Sequence, residues 1–170
     1  MAEYAKVING NITKTYRSNK QYIDDNGVRF PVSIWQNTEY LRTQNLYLIQ
    51  QGTVANRTFY DVGGSTLSYD AVSDTVTRSY TSTAKSTEYL KEYFKIKNLI
   101  TFRGFLDSTN YHIIRSQEDS SYTVPSAVST WRTTIYTEFD AHVISIDACS
   151  NISDFEALDI SFTPQPDDVQ

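Results

Sequence analysis

The stretch FRGFLDSTNYHIIRSQEDSSYTVPSAVSTWRTTI, residues 102–135, decides how this chain folds. It begins and ends with helical periodicity, and a polar segment carrying one proline interrupts it. That interruption is either a loop lining an active site or the corner between two packed helices. Pro125 suits the first turn of a new helix, and it drives Val124 out of helical conformation. Upstream, from Ser82 to Gln117, there is no proline and a single glycine, Gly104. Leu99, Phe102, Leu106, Thr109 and Ile113 recur there at spacings of three and four, which places them on one helical face. Ser86 or Thr87 can cap the start, and Glu88 falls in the first turn, where the helix dipole favours an acid. The pattern predicts one helix of roughly thirty residues, about 45 Å long, reaching Gln117. Gly104 costs it about 1 kcal/mol unless something packs closely there.

Downstream of Pro125, Trp131, Ile135, Phe139, His142, Ile146 and Cys149 repeat at three or four. They predict a second amphipathic helix ending near Ser150. Asn151 or Ser153 can cap a short third helix over DFEALD, and the closing FTPQPDDVQ, with two prolines, reads as an extended arm. The interruption is short enough to be a helix–helix corner, so the two long helices fold back antiparallel.

The first half has a different rhythm. EYAKVI alternates Tyr4, Lys6 and Ile8 against Ala5 and Val7, and a second alternating run follows Asn9-Gly10, a pair that accepts a type I′ turn. Asn26-Gly27 marks another turn, and Pro31 argues against a central strand. Asn37 can cap a short helix with Glu39, Tyr40 and Leu41, before a strand at 46–50. NRTFYDV, STLSYDAV and DTVTRSYTS form three further β-rich runs, with breaks expected at Gly63-Gly64 and near Asp74. The expected fold class is α+β: a small antiparallel β region over residues 1–82, a helical hairpin with a short third helix over 83–160, and an extended tail at 161–170.

The totals narrow the function. A chain of 170 residues can bury a core of its own, and a net charge of −5 with no Lys/Arg run offers nothing to nucleic acid or an acidic membrane. The opening MAEYAKVING lacks an apolar signal-peptide core, and no segment approaches the ~20 apolar residues of a membrane span. Cys149, alone, excludes an internal disulfide and any Cys-rich zinc site.

No motif for catalysis, cofactor or metal emerges, so none is expected. The two histidines, His112 and His142, sit on or beside apolar helix faces, where a packed, hydrogen-bonded imidazole is the ordinary occupant. An Asp107–His112–Ser116 trio fails on helical geometry, since Asp107 and His112 do not share a face. VGGST at 62–66 lacks the lysine and helix of a phosphate loop. The expected contacts are structural: Leu99, Phe102, Leu106, Ile113, Trp131 and Ile135 as a helix seam. Arg103, Arg115 and Arg132 are candidates to pair with Asp107, Glu118 or a partner, and Asp167 and Asp168 are candidates for a partner-binding arm. Phe94, Phe105, Tyr93, Tyr111, Trp131 and Tyr136 spread beyond one seam, so a third surface, the β region or neighbouring subunits, is expected to cover them.

Three stretches carry a resemblance. YAKVINGNIT looks like the opening hairpin of tailed-bacteriophage tail and tail-fibre-associated proteins, which begin Y-A-x-V-x-N-G. VRFPVSIW resembles the Phe-Pro segment that follows it there. The segment 103–135 is similar to their C-terminal helical region through Arg103, Leu106, Asp107, Thr109, Tyr111, Arg115, Pro125, Trp131 and Arg132. It departs from it at Asn110-Tyr111, where Asp-Trp is usual. The resemblance touches about half the chain. It implies a non-enzymatic virion protein of a phage tail, fibre attachment or baseplate region, made in the bacterial host cytoplasm. The implied partners are other tail or fibre proteins, and copies of itself as a homo-oligomer. The rival roles are a fibre-assembly chaperone absent from the finished particle and a carbohydrate-binding receptor module using Tyr60 or Tyr69.

Overall fold

A computed structural model describes residues 1–166, in two compact units, one over Met1–Thr83 and one from Ala84 onward. The arm expected at Asp167 and Asp168 lies outside the described residues. The chain is α+β, with a five-stranded sheet, a two-stranded ribbon and, among the described residues, five α-helices. Helix is not confined to the second half: a short 3-10 helix, Val32–Gln36, and α1, Thr38–Thr43, lie within the first unit.

In the first unit, β1 (Glu3–Ile8) and β2 (Asn11–Arg17) pair antiparallel around Asn9-Gly10, whose φ values of 52° and 77° are the left-handed ones a type I′ turn demands. A second reversal at Asn26-Gly27 joins β3 (Tyr22–Ile23) to β4 (Arg29–Phe30), and Asp24 Oδ1 accepts from the backbone N–H groups of Asn26 and Val28. Pro31 leads into the 3-10 helix rather than into a strand. The Asn37 side chain caps α1 by accepting from Tyr40 N at 3.0 Å.

The sheet runs β2-β1-β5-β7-β6, with β5 at Leu46–Gln51, β6 at Tyr60–Asp70 and β7 at Thr75–Ala84. It is mixed, not antiparallel: β5 and β7 pair parallel through Ile49↔Val76 and Gln51↔Arg78. Side-chain alternation is the same in either direction, so the sequence pattern carries no information on this point. Gly63-Gly64 does not break the chain either. β6 runs straight through it, and a Cβ on Gly63 would stand 2.5 Å from Thr81 Oγ1. The glycine permits a close approach of neighbouring strands rather than a turn.

Both faces of β1 are covered, which explains why four of its six residues are buried. Tyr4 faces Tyr22, Trp35, Leu41 and Leu46. Its ring stacks on Trp35 at 4.8 Å and its hydroxyl donates to the Trp35 carbonyl. Ala5 and Val7 face Ile49 and Val76 on the other side.

In the second unit, Ser86 caps α2 (Thr87–Asp107), its side chain accepting from Tyr89 N. α4 (Ser126–Ala148) packs against it in the opposite sense: Lys95 pairs with Asp147, Asn98 meets His142, Phe102 stacks on Phe139, and Arg132 reaches Leu106. The single long helix expected to Gln117 is two helices. It stops at Asp107 and resumes as α3, Asn110–Glu118. Thr109 sits between them at φ −116°, ψ 2°, fully buried. Four short polar side chains in a row supply the local alternatives to helical hydrogen bonding. Ser108 Oγ donates to Phe105 O, Thr109 Oγ1 to Leu106 O, and Asn110 Nδ2 to Asp107 Oδ1.

α5 (Ile152–Glu156) starts at Asn151 with a reciprocal capping box to Asp154. Beyond it the chain is not a free arm. Phe162 is buried with Phe102, Leu106, Trp131 and Ile135, and the Thr163 carbonyl accepts from Trp131 Nε1 at 3.2 Å.

Gly104 has no close neighbour: a Cβ there meets nothing within 4 Å. Gly104→Ala should therefore raise stability by about 0.5–1 kcal/mol through helix propensity alone, measured as a higher urea midpoint. An unchanged or lower midpoint would contradict the open environment described here.

Candidate interaction surface

The seam between α2 and α4 gathers five of the six side chains expected on it. Phe102, Leu106, Trp131 and Ile135 are buried together, and Leu99 packs against them, with Phe105 and Phe139. Ile113 does not join. The break at Ser108-Thr109 rotates α3 out of phase with α2, and Ile113 is left half-buried outside this cluster.

The seam also holds a polar group that periodicity did not single out, Asn98, beside His142 of the periodic stripe. Asn98, fully buried, donates to the Phe139 carbonyl, and its Oδ1 stands 3.1 Å from His142 Nδ1, within hydrogen-bond reach. The edge-on contact of Phe162 with the same ring, 4.7 Å between centroids, completes its packing. His142 is thus held as a structural hydrogen-bonding group.

Arg132 is the most connected of the expected charged residues. One guanidinium nitrogen reaches Leu106 O at 3.0 Å, Thr109 Oγ1 at 2.7 Å and Asn110 Oδ1 at 3.2 Å. It supplies a charged donor to the C-terminal end of α2, where helix carbonyls lack partners and the dipole favours a cation. The expected carboxylate pairing does not form: no ion pair among the described residues includes Arg103, Arg115 or Arg132. Asp107 accepts from Asn110 instead. Arg103 is exposed. Arg115 lies over the Tyr122 ring at 4.2 Å and donates to the Tyr111 hydroxyl at 3.1 Å. Tyr122 in turn bonds His112 Nδ1 at 2.6 Å, while Ser116 donates to Ile113 O. Asp107, His112 and Ser116 are each engaged with a different neighbour.

In the first unit several ionisable groups form ion pairs. Lys6, buried, pairs with Asp25; Glu3 holds both Arg17 and Arg78. Arg42 pairs with Asp74, which also accepts from the Tyr69 hydroxyl at 2.7 Å. That hydrogen bond raises the Tyr69 phenol and, with Arg42, holds the Asp74 carboxyl below its ordinary range. Burial pushes the Tyr22 phenol up to about 12, and its hydroxyl has no hydrogen-bond partner among the described residues. Tyr60 and Tyr69, on which a sugar-stacking role would rest, are half-buried. The Tyr69 ring packs on Tyr47 at 5.4 Å. No tyrosine of the first unit is exposed.

Exposed tyrosine is confined to the helices of the second unit, at Tyr89, Tyr93, Tyr111 and Tyr136. On α2, Tyr89, Tyr93, Ile96 and Ile100 are 49%, 41%, 51% and 66% exposed, and they lie on the side opposite Leu90, Phe94, Asn98 and Phe102. Tyr93, Ile96, Lys97, Ile100 and Thr101 line an open, largely apolar depression of about 280 Å³. Ile114 on α3 and Ile144 on α4 are exposed as well. Among the described residues no cluster of His, Cys, Asp and Glu could hold a metal ion, and no helix is long and apolar enough to cross a membrane.

No family model, curated protein or solved structure matches this chain.

Arg132→Met keeps the aliphatic stem and removes the donors to the α2 end. It should cost about 1–3 kcal/mol in chemical denaturation, because buried Thr109 and the Leu106 carbonyl lose a charge-assisted partner. Arg103→Met, on the exposed face, should stay within about 0.5 kcal/mol of wild type. Equal losses for the two would overturn the role given to Arg132.

Proposed function

We propose that this chain is a non-enzymatic structural component of a bacteriophage virion, in a tail, fibre-attachment or baseplate region, working through protein–protein contacts. In this reading a β-rich docking region is followed by an antiparallel helical hairpin, and the hairpin presents the contact surface. The observation that carries it is the apolar side of α2, where four large side chains stand in solvent on a helix already packed along its other side. Exposed contiguous apolar surface of this kind is ordinarily an interaction site. The tail-protein resemblance of the opening hairpin and of residues 103–135 supplies the setting. The helix-corner residues Arg103, Asp107, Arg115 and Arg132 belong to it as scaffold and rim rather than as catalytic groups. Partners are other tail or fibre proteins, and the place of action is the particle, after synthesis in the host cytoplasm.

Mass spectrometry of purified particles of the phage that encodes the chain tests this reading. Peptides at a fixed stoichiometry with the tail proteins are the expected result. Their absence from particles, with the protein present in infected cells, would replace the structural role by that of an assembly chaperone.

A further inference from the structure

We infer that the exposed side of α2 is a self-association surface that pairs, parallel and in register, with the same helix of a second copy of this chain. The spacing of the stripe is the first argument. Tyr89, Tyr93, Ile96 and Ile100 follow one another at four, three and four residues, the alternation of a coiled-coil seam. With Tyr93 and Ile100 at the a positions, Tyr89 and Ile96 occupy d. The opposite side of the same helix, through Leu90, Phe94, Asn98 and Phe102, is already buried. The seam is therefore a separate face, not the rim of the core.

Charge selects the occupant and the direction. In that frame Glu92 falls at g and Lys97 at the following e, both exposed. A parallel pair sets g of one helix against the next e of its partner, five residues on, so Glu92 of each copy meets Lys97 of the other. Both flanks are satisfied at once by two-fold symmetry. An antiparallel pair would set g against g and e against e, and would lose this match. Glu92 takes part in no ion pair among the described residues, so the pairing displaces none. The stripe stops where the next d position is Arg103, exposed and carrying the charge of its own copy. Ile96, Ile100 and Lys97 also line the open depression on this face, which gives a facing side chain a hole to enter.

From Tyr89 to Ile100 the seam is only about 17 Å long. Association is thus weak and concentration-dependent, with Kd on the order of 100 µM. The pairing depends only on the surface of α2, so it stands whether or not the chain belongs to a virion.

Sedimentation equilibrium of the full chain from about 5 µM to about 500 µM at low salt tests it. The wild type should pass from monomer to dimer. Ile96→Asp, at an exposed position, should weaken the dimer at least about tenfold with an unchanged circular dichroism spectrum. Glu92→Lys should weaken it about tenfold, and Glu92→Lys combined with Lys97→Glu should restore it to within about threefold of wild type. Under mild oxidation Tyr89→Cys and Ile96→Cys should each cross-link to its own copy. A wild type monomeric throughout the range would overturn the inference, as would a dimer indifferent to Ile96→Asp. Failure of the charge swap to restore pairing, or cross-linking at only one of the two cysteine positions, would overturn the parallel register.

Discussion

Two helices packed along one line can bury only one side of each other, and α2 is apolar on two. Its inner side meets α4, α5 and the Phe162 segment, where Leu90, Phe94, Phe102 and Leu106 are all buried. Its outer side carries tyrosine and isoleucine that the chain leaves in solvent. Full burial of a large apolar side chain is worth about 1.5–3 kcal/mol. Several half-exposed ones on a single helix are a standing gain for any partner that covers them. The surface of α2 open to a partner follows from that asymmetry.

The first unit solves the same problem differently. Its aromatic residues turn inward: Tyr4, Tyr22 and Trp35 pack around one another, with Tyr16, Phe30 and Tyr40 closing over them. Two hydroxyls nearer the surface hydrogen-bond side chains, Tyr69 to Asp74 and Tyr80 to Gln51. Tyrosine suits a half-buried β surface because its ring packs while its hydroxyl stays wet. In this unit the abundance of tyrosine is a folding device. In the second, the same residue type stands exposed on helices.

What was legible in the sequence was local. Asn9-Gly10 announces its own turn, Asn37 and Ser86 announce their caps, and the three-and-four spacing from Trp131 to Cys149 marks the buried side of α4. Each depends on residues within a single turn or helix. The features that escaped depend on partners far along the chain. The break at Ser108-Thr109 joins local side-chain bonds to a contact from Arg132, twenty-three positions beyond Thr109, and the second of these has no local sign. The parallel direction of β7 against β5 leaves side-chain alternation unchanged. Gly63 looks like a turn until Thr81 is brought beside it. Phe162, between polar residues in a proline-rich segment, gives no periodic sign of its burial. On the candidate surface, five of the six expected seam residues were legible from their spacing, while Ile113 left the seam with the break between α2 and α3. Tyr93 was expected beyond the seam, but Tyr89, Ile96 and Ile100 were not singled out, and the buried Asn98 is polar and gave no apolar sign.

Hydroxyl-radical footprinting of the dilute protein, read by mass spectrometry residue by residue, tests this division most directly. Fast modification of Tyr89, Tyr93, Tyr111 and Tyr136, with Tyr4, Tyr22, Trp35 and Phe162 protected, is the predicted pattern. Protection of Tyr89 and Tyr93 in the monomer would show that the chain covers the outer side of α2 by itself, and the case for a partner there would end.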